Sequence, residues 1–343
     1  MVQIGYALSS EEHAPNDLVR YARQAEEARF PFALISDHFH PWVPRQGHSP
    51  FVWSVIGGIA QVTQRLRLGT GVTCPTMRIH PAIIAQAAAT AAAMMPGRFF
   101  LGVGSGERLN EHILGDHWPE PSVRLEMLAE AIHIIRLLWQ GKTTSHRGEY
   151  FEVEQARIYT LPEQLPPILV AAGGARAAAL AGRLGDGLIT TSPQAELVKE
   201  FEAAGGRGKP KFGQIAVCWA PDEAQARRTA LEWWPTAALK GPLGTELALP
   251  EHFQAAAAMA TEEEIAKSVA CGPDPQRHIE EIQKFAEAGF DYVYVHQIGP
   301  DQEGFFRFYR DEILPAFHGS GGTSPSGPAA GTGVAGMGNR GGP

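Results

Sequence analysis

Phe32-Ala33-Leu34-Ile35-Ser36-Asp37-His38-Phe39-His40-Pro41-Trp42 is the stretch that decides the fold. A short apolar run stops abruptly in a carboxylate, two imidazoles and an indole. A hydrophobic core has no need of these polar groups, because burying them without partners costs several kcal/mol. The stretch therefore predicts a strand that delivers chemistry at its C-terminal end. The pattern recurs where residues 99–103 are followed by Gly104-Ser105-Gly106-Glu107.

Strand-like apolar runs of this kind alternate with longer helix-periodic segments along the whole chain. Eight such runs occupy residues 3–7, 32–35, 66–71, 99–103, 168–171, 187–190, 213–219 and 292–296. The intervening predicted helices occupy residues 16–28, 50–63, 81–95, 123–139, 175–184, 194–204, 222–233, 275–288 and 305–314. Eight strand–helix units in 343 residues predict an α/β protein with a single (β/α)8 TIM barrel. A doubly wound sheet is the alternative, but it leaves two strands unexplained.

Three segments lie outside this repeat. Residues 141–166 predict a hairpin-like excursion between the fourth helix and the fifth strand, and residues 235–260 an insertion after the seventh strand. From residue 318 to residue 343 the chain is mostly Gly, Ser, Pro and Ala, with too few apolar side chains to fold. We expect a barrel of residues 1–317 followed by a disordered tail.

Composition narrows the class of partner. The net charge is −8 and no run of Lys or Arg occurs, which argues against nucleic acid or an anionic membrane as a ligand. The three cysteines fit no zinc pattern, so we expect reduced thiols. No apolar run approaches the roughly 18 residues that span a membrane. The sequence thus predicts a cytoplasmic protein that acts on a small molecule.

In a barrel the C-terminal ends of all strands face one site. The polar or aromatic residues at or near these ends are Glu11, Asp37, His38, His40, Trp42, Glu107, Asn110, Thr191 and His296. His38 paired with Glu107 would suit general acid–base work, because a carboxylate fixes the imidazole tautomer and raises its pKa. The alternative is that both are hydrogen-bonded rim residues. Trp42 is either a wall against a flat ligand or a packing residue.

Two glycine-rich turns and one His pair raise further possibilities. Residues 102–106 lack the G-x-G-x-x-G spacing, so a dinucleotide-binding interpretation is weak. The turn Gly173-Gly174 opens a helix, where backbone N–H groups and Arg176 could hold a phosphate, or it is simply a tight turn. His38-x-His40 suggests a metal, but the fifth and sixth strands end without further imidazoles, and no metal is predicted.

At these residues the chain resembles the bacterial luciferase-like superfamily and, within it, the F420-dependent glucose-6-phosphate dehydrogenase family. The matching strings run in order across nearly the whole barrel. They are Ser36-Asp37-His38-Phe39, Pro41-Trp42, Gly47-His48-Ser49-Pro50-Phe51, Leu68-Gly69-Thr70, Pro75-Thr76, Pro81-Ala82, Ala85-Gln86-Ala87, Phe100-Leu101-Gly102-Val103-Gly104, Gly106-Glu107, Leu109-Asn110-Glu111, Ala171-Ala172-Gly173-Gly174 and Gly185-Asp186-Gly187.

The resemblance implies a barrel that binds coenzyme F420, a deazaflavin that carries hydride and does not readily pass electrons to oxygen. It assigns a catalytic pair, an aromatic wall, a non-proline cis peptide under the ring, a phosphate-binding turn and substrate contacts. The implied catalytic residues are His38, Glu107 and Trp42. The implied cofactor contacts are Asp37, Gly71, Val72, Cys74, Ser105, Gly106, Asn110, Gly173, Gly174 and Arg176, with Cys74 replacing the family's threonine. The implied substrate contacts are Glu11, Thr191 and Gln194.

By the same resemblance, one residue takes the hydroxyl proton while hydride passes to the deazaflavin, and another protonates the ring. We assign the substrate proton to His38 and the ring proton to Glu107. The sugar-phosphate enzymes use two lysines and an arginine for the phosphate, where this chain has Gln194, Gly244 and Ser268. Charge-assisted hydrogen bonds to phosphate contribute roughly 1.5–3 kcal/mol each. We therefore expect an alcohol, sugar or carbonyl substrate other than glucose 6-phosphate.

Several alternatives stay open from the sequence. They are an F420-dependent sugar-6-phosphate dehydrogenase, an FMN-dependent luciferase-like monooxygenase, a non-catalytic cofactor-binding protein and a metal hydrolase. The direction of hydride transfer is also open. Because members of the family are commonly dimers, the resemblance implies a homodimer.

Overall fold

The computed structural model describes residues 1–239 and 241–317. Eight parallel strands form the barrel: β1 Gln3–Leu8, β2 Phe32–Ile35, β3 Arg67–Thr70, β4 Phe99–Val103, β7 Ile168–Ala171, β8 Gly187–Thr190, β9 Lys211–Cys218 and β11 Tyr292–Gln297. Each coincides with one of the predicted runs, with ends shifted by at most two residues. The prediction of a (β/α)8 TIM barrel is confirmed. The predicted tail, residues 318–343, lies outside the described residues.

The strand order shows how the barrel closes. Neighbours follow β9, β11, β1, β2, β3, β4, β7 and β8, and β8 returns to pair with β9. Residues 188–190 of β8 pair with residues 211–213, the first part of β9. The last part of β9 pairs instead with a further strand, β10 Val269–Cys271, which the sequence analysis missed. The seam between β8 and β9 therefore separates toward their C-terminal ends, at the mouth of the barrel.

Helices surround the barrel in the predicted alternation. The principal ones are α1 Pro15–Glu27, α2 Val52–Val62, α3 Pro81–Met94, α5 Pro121–Leu138, α6 Ala175–Leu184, α7 Ala195–Phe201, α8 Glu223–Trp233, α12 Pro275–Glu287 and α13 Gln302–Phe308. Four of them, α1, α3, α5 and α12, begin at a proline, whose fixed φ suits the first helical position. The last predicted helix begins three residues earlier than expected, and it continues through a π-helical turn, Tyr309–Ile313, into α14 Leu314–Phe317.

Two excursions decorate the barrel. A short antiparallel hairpin, β5 Thr144–Arg147 with β6 Glu152–Ala156, falls within the predicted excursion of residues 141–166. After α8 the chain forms a 3-10 turn, Pro235–Ala238, and then α9 Leu243–Glu246, α10 Pro250–Ala256 and α11 Glu262–Ile265. The remaining short elements are α4 Arg108–Glu111, the 3-10 turn His112–Leu114 and the π turn Glu202–Gly206.

The barrel interior is filled by side chains, so the barrel has a packed core rather than a pore. Large residues from β2, β4, β7, β8, β9 and β11 meet there, and they are Phe32, Leu34, Phe100, Leu169, Ile189, Phe212 and Tyr294. Glycines face the largest rings: a Cβ at Gly5 would enter the ring of Phe32, and one at Gly69 the ring of Phe100. Only a residue without a side chain fits at these two positions, because the interior is close-packed and neither ring can move aside.

A larger cluster of buried side chains lies between the barrel and the helices. The three cysteines, Cys74, Cys218 and Cys271, are buried free thiols, in line with the expected reduced state. Among residues 1–239 and 241–317, no helix is both long and apolar enough to cross a membrane.

Candidate active site

A cavity of about 800 Å³ opens at the C-terminal ends of the barrel strands. Its lining includes seven of the predicted catalytic, cofactor-binding and substrate-binding residues, and they are Glu11, His38, Trp42, Gly71, Val72, Glu107 and Thr191. The two polar stretches that follow β2 and β4 therefore converge on one mouth, as the barrel topology requires.

The centre of the cavity is an imidazole between two carboxylates. Nδ1 of His38 lies 2.7 Å from Oε1 of Glu11, and Nε2 lies 3.2 Å from Oε1 of Glu107. His38 and Glu11 thus form a close ion pair. The other oxygen of Glu11 accepts hydrogen bonds from the hydroxyls of Ser9 and Ser36, at 2.9 and 2.8 Å. Glu11 is thereby fixed behind His38.

The charges of this pair follow from its burial and its neighbours. Burial alone would lower the pKa of His38, but the carboxylates of Glu11 and Glu107 outweigh it and raise that pKa to about 9. Burial likewise acts to raise the pKa of Glu11, yet the charge of His38 and the Ser36 hydroxyl bring it down to about 2. At neutral pH His38 is therefore an imidazolium and Glu11 a carboxylate.

Asn110 positions Glu107. The side-chain Nδ2 of Asn110 donates to Oε1 of Glu107 at 2.5 Å, while its Oδ1 accepts from the backbone N–H groups of Phe39 and His40 at 2.8 and 2.9 Å. Asn110 is fully buried and does not line the cavity. The structure thus places it as a clamp between the end of β2 and the carboxylate that follows β4. Its predicted contact with a cofactor stays a prediction.

Asp37 faces away from the cavity, into a buried ionic cluster. Its carboxylate accepts from Thr73 at 2.7 Å and pairs with Arg78 at 2.9 Å. Arg78 also lies 3.6 Å from Glu111. Burial, reinforced by the charges of Glu107 and Asp37 and opposed by Arg78, raises the pKa of Glu111 to about 7. Asp37 is predicted from the sequence as a cofactor contact, whereas Arg78 and Glu111 are not among the predicted site residues.

Gly71 and Val72 are joined by a cis peptide bond, at the position that the resemblance implied. Both line the cavity. Nearby, Cys74 is buried beside Thr76, with its sulfur 3.0 Å from the hydroxyl, and burial raises its pKa so that it stays a neutral thiol. Gly106 has a φ of +74°, and a Cβ there would meet Cys74. Ser105 and Gly106 are half-buried beside the cavity and do not line it.

The predicted phosphate-binding turn is open. Gly173 and Gly174 are exposed, a Cβ at either would meet nothing within 4 Å, and α6 begins directly after them without a side-chain cap. Arg176 is exposed in the first turn of α6. The free N–H groups and the helix dipole make this terminus suitable for an anion. It lies outside the lining of the cavity.

The insertion after α8 supplies the outer wall. The ring of Trp42 lies 5.2 Å from that of His38 and 5.2 Å from that of Phe253 in α10. Gly244 and Ser268, two of the positions where the family's phosphate anchors were expected, line the cavity. Gln194, the third, does not; it is exposed, and its amide donates to Ser192 at 2.8 Å.

A second imidazole–carboxylate pair borders the same cavity. Nε2 of His296, at the end of β11, lies 2.5 Å from Oε2 of Glu12. Both residues are buried, and the His296 ring lies 4.4 Å from that of Trp234. His296 is predicted from the sequence to lie at the mouth of the barrel, whereas Glu12 is not among the predicted site residues. No local signal connects two residues 284 positions apart.

Known proteins resemble this chain in sequence and in structure. Residues 1–292 match the sequence profile of the luciferase-like monooxygenase family. The chain is 38% identical over 327 residues to an F420-dependent glucose-6-phosphate dehydrogenase of Microbacterium testaceum, covering 92% of this chain and 97% of that one. It is 36% identical over 328 residues to the protein of the same name in Mycobacterium tuberculosis, covering 92% and 97%. A solved F420-dependent secondary alcohol dehydrogenase, in complex with an F420–acetone adduct, superposes with a TM-score of 0.86 at 31% identity, covering 92% and 99%.

Proposed function

Because this chain belongs to the luciferase-like monooxygenase family, we propose that it is an F420-dependent oxidoreductase that transfers hydride between the deazaflavin and an alcohol or carbonyl substrate. The observation that carries the proposal is His38, held between Glu11 and Glu107 in the wall of the cavity. Similarity to proteins named as F420-dependent dehydrogenases, which covers 92% of this chain, supports the proposal as well.

The residues present fit this cofactor. The cis peptide Gly71–Val72 forms one wall of a cavity large enough for a flat ring system and a small substrate together. The open N-terminus of α6, with Gly173, Gly174 and Arg176, offers uncapped donors and positive charge for a phosphate. When bound, the deazaflavin supplies a ring carbon that accepts or donates hydride.

The chain's own residues would handle the protons. His38, charged at neutral pH, is poised to give a proton to a carbonyl oxygen, and after deprotonation it can take the proton from an alcohol. Glu107, oriented by Asn110, is the second proton-transfer group and serves the cofactor side. Trp42 and Phe253 limit access of water to the site. We propose these roles on the strength of their placement around one cavity.

Cofactor titration tests the proposal directly. We expect quenching of deazaflavin fluorescence to saturate at micromolar F420, while FMN binds at least tenfold more weakly. Tight FMN binding without F420 binding would favour an FMN-dependent monooxygenase, which the family's description makes the second candidate.

We further propose that glucose 6-phosphate is not the preferred substrate. Gly244 and Ser268 offer no charge to a phosphate, and Gln194 is exposed and does not line the cavity. Of the lysines in the lining, Lys284 is paired with Glu281 at 2.6 Å, and Lys267 is exposed to solvent, where screening weakens a single charge. Loss of three charge-assisted bonds of roughly 1.5 kcal/mol or more each lowers affinity by about a thousandfold.

A substrate panel tests whether glucose 6-phosphate is the preferred substrate. Steady-state F420 reduction with glucose 6-phosphate is compared with that for glucose and for unphosphorylated secondary alcohols. We expect kcat/KM to be highest for an uncharged alcohol. A Gly244→Lys, Ser268→Arg double variant places two cations in the lining, and it should gain activity toward glucose 6-phosphate without gaining any toward glucose. A wild-type kcat/KM that is highest for the sugar phosphate would contradict the substrate assignment.

The expected homodimer is also a proposal. Phe51 and Ile83 are each 56% exposed along an apolar groove between α2 and α3, which gives a surface for a second copy. Ile83→Glu would place a charge in that groove, and we expect it to convert a dimer into a monomer in light-scattering measurements. Val62→Glu, an equally apolar surface site outside the groove, is the control. A wild-type chain that elutes as a monomer would contradict the proposal.

A further inference from the structure

The cavity contains two histidines, and the proposed hydride transfer uses only one. Consecutive glutamates in the turn that follows β1 each hold one of them: Glu11 contacts His38, and Glu12 contacts His296. His296 lines the cavity, as His38 does. The proposed hydride transfer nevertheless assigns no role to His296.

The orientation of His296 is fixed from behind. Its Nε2 faces Oε2 of Glu12 at 2.5 Å, while Oε1 of Glu12 accepts the backbone N–H of Gly299 at 2.9 Å. The ring also packs edge-on against Trp234, with centroids 4.4 Å apart. A carboxylate that binds one ring nitrogen settles which nitrogen is left for other partners. Here that nitrogen is Nδ1, since the one hydrogen bond of this ring found among residues 1–239 and 241–317 is that between Nε2 and Glu12.

A buried imidazole that is held so firmly and borders an open cavity is built to receive a ligand group. A hydroxyl suits it best, because a hydroxyl can donate to or accept from Nδ1 whatever the charge of the ring. A simple alkanol has only the hydroxyl that the His38 side would engage. Such a substrate would offer Nδ1 of His296 no hydrogen bond, so it would bind less favourably than a substrate with a second hydroxyl.

We propose that His296, positioned by Glu12, is a specificity-determining residue that binds a second hydroxyl of the substrate, so that the enzyme prefers polyhydroxylated secondary alcohols to simple alkanols. This inference rests on the proposed function and refines its substrate class. The interaction is a binding contact that is present before and during hydride transfer. It should therefore act mainly on KM rather than on kcat.

The test compares diols with matched mono-alcohols. The substrates are butane-2,3-diol, butane-1,3-diol and pentane-1,4-diol, set against butan-2-ol and pentan-2-ol. Wild-type enzyme should have a higher kcat/KM for at least one diol than for its mono-alcohol. His296→Ala should lower kcat/KM for that diol about tenfold, the size of one good hydrogen bond, and change the mono-alcohol less than twofold. Equal losses on both substrates, or no loss on either, would overturn the inference.

Three variants separate recognition of the substrate from folding. His296→Gln keeps a donor toward Glu12 and removes the imidazole Nδ1, so it should lose the diol preference while keeping the wild-type melting temperature. Glu12→Gln keeps an oxygen acceptor for Nε2 and should retain most of the preference. His13→Gln alters a buried histidine that does not line the cavity, and the preference should remain.

A binding measurement distinguishes this inference from the proposed function. The same alcohols are added at millimolar concentration to cofactor-free protein, and the shift in melting temperature is recorded. If no alcohol supports F420 reduction but the diol stabilises wild type and not His296→Gln, the proposed function fails and the hydroxyl site stands. If F420 is reduced with butan-2-ol but the diol gives neither preference nor a His296-dependent shift, the hydroxyl site fails alone.

Discussion

Replacement of His38 by alanine is expected to lower kcat/KM for hydride transfer by about 10²–10⁴-fold, the usual contribution of a positioned acid–base group. His38 lies between the carboxylates of Glu11 and Glu107 and lines the cavity, so it is placed to exchange a proton with the substrate. The affinity for F420 should change little, because the turn at Gly173 and Gly174, which is proposed to hold the cofactor's phosphate, does not contact His38. Stopped-flow hydride transfer and fluorescence titration measure the two quantities separately.

Stability needs its own control, because the same substitution leaves Glu11 as a buried, unpaired carboxylate. Breaking such a pair costs roughly 3–5 kcal/mol, enough to unfold a marginal protein. In a Glu11→Gln, His38→Ala double variant that charge is absent, so the double variant should fold and still be inactive. His40→Ala is the matched histidine control: its ring contacts the carbonyl of Leu109 at 2.8 Å and is absent from the cavity lining. Activity in the folded double variant would reject the role of His38.

Alcohol oxidation is expected to rise with pH up to about 9, and carbonyl reduction to stay level to the same point and then fall. The reason is the pKa of His38, which burial would lower but Glu11 and Glu107 raise to about 9. Oxidation needs the neutral ring as a base, whereas reduction needs the imidazolium as an acid. With a pKa of about 9, only about one ring in a hundred is neutral at pH 7, so oxidation there should run about 100-fold below its plateau.

Glu11→Gln identifies the source of that pH dependence. Removing one of the two carboxylates that stabilise the imidazolium lowers the pKa of His38, so the oxidation profile should reach its plateau at a lower pH. Glu12→Gln serves as the matched control, since Glu12 faces His296 instead. The measurement is kcat/KM from pH 6 to 10 in both directions. An oxidation profile that is level from pH 6 to 9.5, or one that Glu11→Gln leaves unmoved, would contradict this account.

Local patterns in the sequence were sufficient for the fold. Each barrel strand is a short apolar run bounded by turn residues, and strand type and order follow from such runs without long-range information. The strand β10 escaped prediction because Val269–Cys271 is only three residues long and gains its stability from pairing with β9. Convergence of His38 and Glu107 on one cavity also followed from topology alone, since all parallel strands of a barrel end on one face.

The sequence by itself therefore determined the barrel, the strand ends that meet and the residue types available there. The tertiary structure decided what each of those residues faces. Asp37 lies next to His38 yet turns toward Arg78, and Asn110 clamps Glu107 from a fully buried position. Glu11 and Glu12 are consecutive but hold different histidines. Side-chain direction, burial and charge coupling arise from packing between residues far apart in the chain, and such contacts leave no local pattern to find.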